Sequence, residues 1–131
     1  MNLVVLDASA LLAYLNREKG LEVVASALPN SIISPVNLAE VVSKFVELNA
    51  PMSKIRARLL NVFKLGLKVA TYPIEDVIYT GELIKTTKKL GLSLGDRTCL
   101  SLGVRLKAPI LTADKAWSKL DSSKFLILLI R

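Results

Sequence analysis

The sequence predicts an α/β fold: a short, mainly parallel, five-stranded sheet with helices on both of its faces. Two observations lead there. Five short apolar runs alternate with stretches whose apolar residues recur at helical spacing, and strands that alternate with helices pair in parallel under a helical cover. The chain has 131 residues and is 52% hydrophobic, enough for one domain with a real core over residues 1–131 and too short for two. No repeat, low-complexity segment or linker divides it.

The first strand is Leu3–Leu6, and Ala8–Asn16, with Ala, Leu and Tyr at helical spacing, is the helix that leaves it. Gly20 and Pro29 bracket a second helix at Leu21–Leu28. Ile32 and Ile33 form a second strand, closed by Ser34 as N-cap with Pro35 at the first helical position, and the helix runs on to Asn49. Pro51 restarts the chain into Met52–Leu65, where Ile55, Leu59, Val62 and Phe63 share a face, giving a helical hairpin. Leu67–Thr71 is the third strand, Pro73–Leu90 one long helix and Ser93–Leu106 another. Pro109–Thr112 is the fourth strand, Ala113–Leu120 a short helix and Phe125–Leu129 the fifth strand.

Composition narrows the chemistry. Histidine is absent and there is one cysteine, so the commonest general base, the commonest zinc ligand and any disulfide within the chain are excluded together. Cys99 sits among Leu100 and Leu102 and reads as a packed thiol. Eighteen Lys and Arg against eleven Asp and Glu give a net charge of +7, which suits a polyanionic partner as well as it suits a solvated lysine surface. The longest purely apolar run, Phe125–Ile130, cannot span a membrane, and Asp7 interrupts the apolar start too early for a secretory leader. A cytoplasmic protein without a membrane association is the expectation.

Four carboxylates fall where strands end or helices begin. Asp7 follows the first strand, Glu40 lies in the first turns of the third helix, Asp96 opens a late helix and Asp114 follows the fourth strand. In an open parallel sheet the carboxyl ends of the strands form one edge, where ligands gather. Acids meeting there would suit a hard, oxygen-seeking ion such as Mg²⁺ or Mn²⁺. Each acid also has a purely structural use. Asp7 can cap a helix, Asp96 stands three residues after Ser93 in capping-box spacing, Asp114 can stabilise a first turn, and Glu40 can pair with Lys44. Convergence would set like charges together, and two unit charges about 4 Å apart at an effective dielectric near 20 cost roughly 4 kcal/mol. Repulsion alone is then a large cost, and such a cluster persists only if cations neutralise it or some of its members hold protons.

The blocks Asp7-Ala8-Ser9 after the first strand, Glu40 in the third helix, Leu94-Gly95-Asp96 opening a late helix and Leu111-Thr112-Ala113-Asp114 after the fourth strand resemble PIN-domain ribonucleases. The short layout looks like the VapC toxins of type II toxin–antitoxin pairs. The resemblance implies a three-layer α/β/α fold and a ribonuclease that hydrolyses RNA phosphodiester bonds with Mg²⁺ or Mn²⁺. It implies Asp7, Glu40, Asp96 and Asp114 as the catalytic, metal-holding acids, with Ser9 and Thr112 as accessory hydroxyls. It also implies an RNA substrate, a cognate antitoxin and a homodimer. The chain departs from the pattern at Asn37, where a hydroxyl residue is common, and at Arg97, a cation beside Asp96. Arg97, Lys44 and Lys115 are candidate RNA contacts.

Rival functions are a catalytically silent PIN-like binding module and a housekeeping RNA-processing nuclease. A phosphoacceptor domain would need an acid after the third strand, and none follows Leu67–Thr71 before Glu75. Nucleotide-binding loops rich in glycine are absent.

Overall fold

The computed structural model describes residues 2–131. Five strands, β1 (Val4–Leu6), β2 (Ser31–Ile33), β3 (Lys68–Val69), β4 (Ile110–Thr112) and β5 (Ile127–Leu129), pair in one parallel sheet of order β3-β2-β1-β4-β5. Val5 lies opposite Ile32 and Ile110, and Leu6 opposite Leu111. Because side chains alternate along a strand, Leu6, Ile33 and Leu111 face one way while Val5 and Ile110 face the other.

The first face is covered by α1 (Ala8–Leu15), α2 (Leu21–Ala27), α3 (Pro35–Glu47) and α4 (Met52–Lys64), which bury Leu11, Val24, Val41 and Val62. The second is covered by α5 (Ile74–Glu82), α6 (Ile84–Thr87) and α7 (Leu94–Leu106), with Leu83, Cys99, Leu100 and Trp117 in its core. Three layers result. No helix among the described residues is long and apolar enough to cross a membrane.

Several elements are shorter than their sequence signals. The expected long helix Pro73–Leu90 breaks into α5, α6 and a 3₁₀ turn at Lys88–Leu90. The Thr86 and Thr87 hydroxyls both donate to the Leu83 carbonyl, a back-bonding that bends helices. At the expected strand Leu67–Thr71, the Leu67 N–H bonds to the Val62 carbonyl and finishes α4, so β3 keeps two residues. Phe125 likewise closes a turn onto Asp121, which delays β5 to Ile127. The short helix expected at Ala113–Leu120 is a 3₁₀ turn, Lys115–Lys119.

Candidate active site

From β1 the chain builds outward to β2 and β3 on one side, and later to β4 and β5 on the other. The carboxyl ends of β1 and β4 therefore flank the switch point, where open parallel sheets hold their ligands. Asp7 stands just past β1, its N–H bonded to the Leu111 carbonyl at 3.1 Å. Asp7 is 5% exposed. Oδ1 accepts from the Ala10 N–H at 2.8 Å, the Ser9 hydroxyl donates to both oxygens, and the Thr112 hydroxyl donates to Oδ2 at 2.7 Å. Each hydroxyl also accepts from the chain leaving β4: Ala113 N–H bonds to Ser9 Oγ and Asp114 N–H to Thr112 Oγ1. Ser9 and Thr112 thus tie the β1 acid to the end of β4.

Burial pushes the Asp7 carboxyl up to about 6 from 3.8, against the bonds from Thr112, Ser9 and Ala10 that pull it down. The charge of Asp96 adds the smallest of these influences. At Asp7, loss of water outweighs repulsion from Asp96.

The other three acids each commit one oxygen to the fold. Asp96 Oδ2 accepts from the Ser93 N–H at 2.9 Å while the Ser93 hydroxyl accepts from the Asp96 N–H, completing the capping box of α7. Asp114 Oδ1 accepts from the Ala116 N–H at 3.0 Å and caps the 3₁₀ turn. Glu40 Oε1 accepts from Asn37 Nδ2 at 2.8 Å, and the anticipated pair with Lys44 does not form. Among the described residues, Asp96 Oδ1, Asp114 Oδ2 and Glu40 Oε2 have no hydrogen-bond donor. Capping and ligation are compatible because they use different oxygens.

All four acids line one open cleft of about 600 Å³, together with Ser9, Ser43 and Lys44. Burial pushes the Cys99 thiol well up, and the charges of Asp7, Asp96 and Glu40 add in the same direction. Among the described residues no group of three or more such side chains is arranged to hold a metal ion as it stands. The donor set nevertheless fits a hard cation: carboxylate and hydroxyl oxygens face the cleft, and the thiol is fully buried.

Of the candidate RNA contacts, Lys44 lines the cleft and Lys115 lies exposed just beyond Asp114. Arg97 turns away, donating to the Thr80 carbonyl at 3.0 Å. Asn37 and Gly95 carry more than the sequence suggested. Asn37 is 2% exposed. It receives the Ser34 hydroxyl at 2.6 Å and donates through Nδ2 both to Glu40 and, at 2.9 Å, to the Gly95 carbonyl. A Cβ on Gly95 would stand 2.5 Å from Glu40 Oε2, so only glycine lets the Glu40 carboxylate lie against α7. The signal available for this clasp was Asn37 itself, standing where a hydroxyl residue is common in the family the sequence resembles.

The PIN domain model matches residues 4–122. The chain belongs to the PIN domain family. As a PIN domain it resembles a chain of the DNA-bound VapBC of Salmonella typhimurium at 14% identity and a TM-score of 0.74, with 100% of each chain covered. It resembles one from VapBC2 of Rickettsia felis, bound to a promoter DNA fragment, at 18% identity and a TM-score of 0.70, covering 97% of this chain and 98% of that one. A chain of VapBC-1 from nontypeable Haemophilus influenzae gives 18% identity and a TM-score of 0.69, with 98% of both covered. At such identities the likeness is one of fold, here the three-layer PIN arrangement. A search of curated protein sequences finds no match.

Proposed function

We propose that this PIN domain is the nuclease toxin of a toxin–antitoxin pair, an endoribonuclease that depends on Mg²⁺ or Mn²⁺. The observation that carries the reading is the convergence of Asp7, Glu40, Asp96 and Asp114 from four separate elements on one cleft at the switch point. Asp7, Asp96, Glu40 and Asp114 would hold the ion, with Ser9 and Thr112 fixing the Asp7 carboxylate. A divalent ion supplies Lewis acidity that makes water a better nucleophile and offsets charge on the phosphate. In a chain without histidine, Asp7, whose carboxyl burial pushes up to about 6, would give up its proton as the ion binds. The toxin assignment draws support from structural neighbours that are VapBC complexes. A small antitoxin, a second copy of the chain and a cytoplasmic setting belong to the same reading.

The test is cleavage of RNA by purified protein in Mn²⁺, Mg²⁺ or EDTA. Cleavage should need the metal and vanish in Asp7→Asn. Activity that persists in EDTA or in Asp7→Asn, or no cleavage of any RNA with Mn²⁺, sinks the proposal. Co-expression with a short neighbouring reading frame should give a stable complex in which cleavage is suppressed.

A further inference from the structure

The edge that carries the acids also carries an unpaired basic surface. Helices α5 and α7 run antiparallel: Asp76, early in α5, meets Arg105, late in α7, at 2.6 Å, and the Thr80 carbonyl receives Arg97. The chain leaving α5 therefore arrives at the end of α7 that holds Asp96. There the 3₁₀ turn Lys88–Leu90 packs against the 3₁₀ turn Lys115–Lys119, whose cap is Asp114. Lys88, Lys89, Lys115 and Lys119 are all exposed. Among the described residues the two ion pairs are Arg105–Asp76 and Arg131–Glu18, so none of these four lysines has an acid partner.

We propose that these two lysine-bearing turns seat the RNA backbone on the α7/β4 side of the cleft. The inference rests on the nuclease reading and gives the substrate a path. A polyanion approaching four carboxylates is repelled unless cations stand beside its route, and at about 0.1 M salt only charges within roughly 10 Å are felt through solvent. The opposite wall cannot serve, because on α3 the cleft-lining Lys44 is outnumbered by Glu40 and Glu47. Helix α4 is basic too, with Lys54, Arg56, Arg58 and Lys64. Its cap is Pro51 and not a cleft acid, and its Arg58 is committed to the Leu15 carbonyl at 2.9 Å and the Phe45 ring. Lysines brought together from residues 88–89 and 115–119, without counter-acids and adjoining a cleft acid, match a phosphate track.

Binding can be separated from cleavage in an Asp7→Asn background, by fluorescence anisotropy of a labelled oligouridylate across a salt series. Lys88→Glu/Lys89→Glu and Lys115→Glu/Lys119→Glu are each compared with the charge-matched Lys54→Glu/Arg56→Glu on α4. Each patch pair should weaken binding by about tenfold or more and flatten the log–log salt slope by about 1.4, two single-strand phosphate contacts at about 0.7 each. The α4 pair should leave the slope unchanged. Equal losses at both surfaces would signify a net-charge effect and overturn the assignment. So would an unchanged slope in the patch pairs, or no RNA binding by Asp7→Asn itself. Thermal melts check folding, and Lys→Gln pairs replace any Glu pair that melts early. Wild-type cleavage is scored separately: if the patch effect appears while cleavage does not, it is the nuclease reading that fails.

Discussion

Burial at the end of β1 leaves Asp7 with a carboxyl that titrates near 6 in the fold against 3.8 in the unfolded chain. Between those values the native protein holds a proton that the unfolded chain has lost. The resulting stability is fully present below about pH 4 and disappears as pH rises through 6, a change on the order of 3 kcal/mol. Without divalent ions, denaturation from pH 4 to 7 should show this fall, and Asp7→Asn should remove it and raise the Tm at pH 7. A profile that is flat in wild type would contradict the burial argument. Gly95→Ala makes a sharper residue-scale prediction, because its two effects have opposite sign. Alanine is favoured over glycine within a helix by about 1 kcal/mol, while its Cβ would displace the flexible Glu40 carboxylate. Tm should hold or rise as Mn²⁺ affinity, read by calorimetry, falls. Asn37→Ala should instead lower both, since it empties a buried hydrogen-bonding position at a cost of about 1–3 kcal/mol. A parallel loss in both variants would show that Gly95 serves packing alone.

At the scale of elements, α5 and α7 are pinned by the Asp76–Arg105 pair, with Arg105 also donating to the Thr71 carbonyl at 3.1 Å and the Ser101 hydroxyl to the Asp76 carbonyl at 3.1 Å. The Asp76 side chain is 8% exposed. Arg105→Ala strands that carboxylate and should cost about 3 kcal/mol, whereas adding Asp76→Asn should restore part of it. Urea unfolding of the three variants checks this, and a double mutant no more stable than Arg105→Ala would refute it. Asp96 combines two roles in one element. Asp96→Asn keeps an acceptor for the Ser93 N–H, so the α7 cap survives while the charge facing the cleft is lost; Asp96→Ala loses both and should melt lower by the equivalent of about 1 kcal/mol. The caps themselves were legible, since Ser34, Ser93 and Asp7 each act on residues three positions away. The break in the α5–α6 stretch was not, because threonine side chains choose between solvent and the carbonyl of the preceding turn only once the packing is set.

For the molecule as a whole, an ion that binds the native state alone raises stability by mass action, about 2.7 kcal/mol at a hundredfold excess over Kd. Mn²⁺ should raise the Tm at pH 7 and do so less at pH 5, where the ion must displace the Asp7 proton and binds about tenfold more weakly on that account. Thermal melts over Mn²⁺ concentration at the two pH values measure it. Equal shifts at both would place Asp7 outside the ion's reach.

By itself the sequence determined five strands, their alternation with helices, and four acids placed where strands end or helices begin. Those signals are local: apolar period, proline and glycine punctuation, and cap spacing act over a few residues. Only the tertiary structure decided which carboxylate oxygens stay free, that Asp7 is governed by burial more than by its neighbours' charge, and that Arg97 faces α5. The reason is distance along the chain. Thr112 reaches Asp7 across 105 residues, and Asn37 reaches Gly95 across 58. Desolvation and side-chain orientation depend on such partners, which no window of sequence contains.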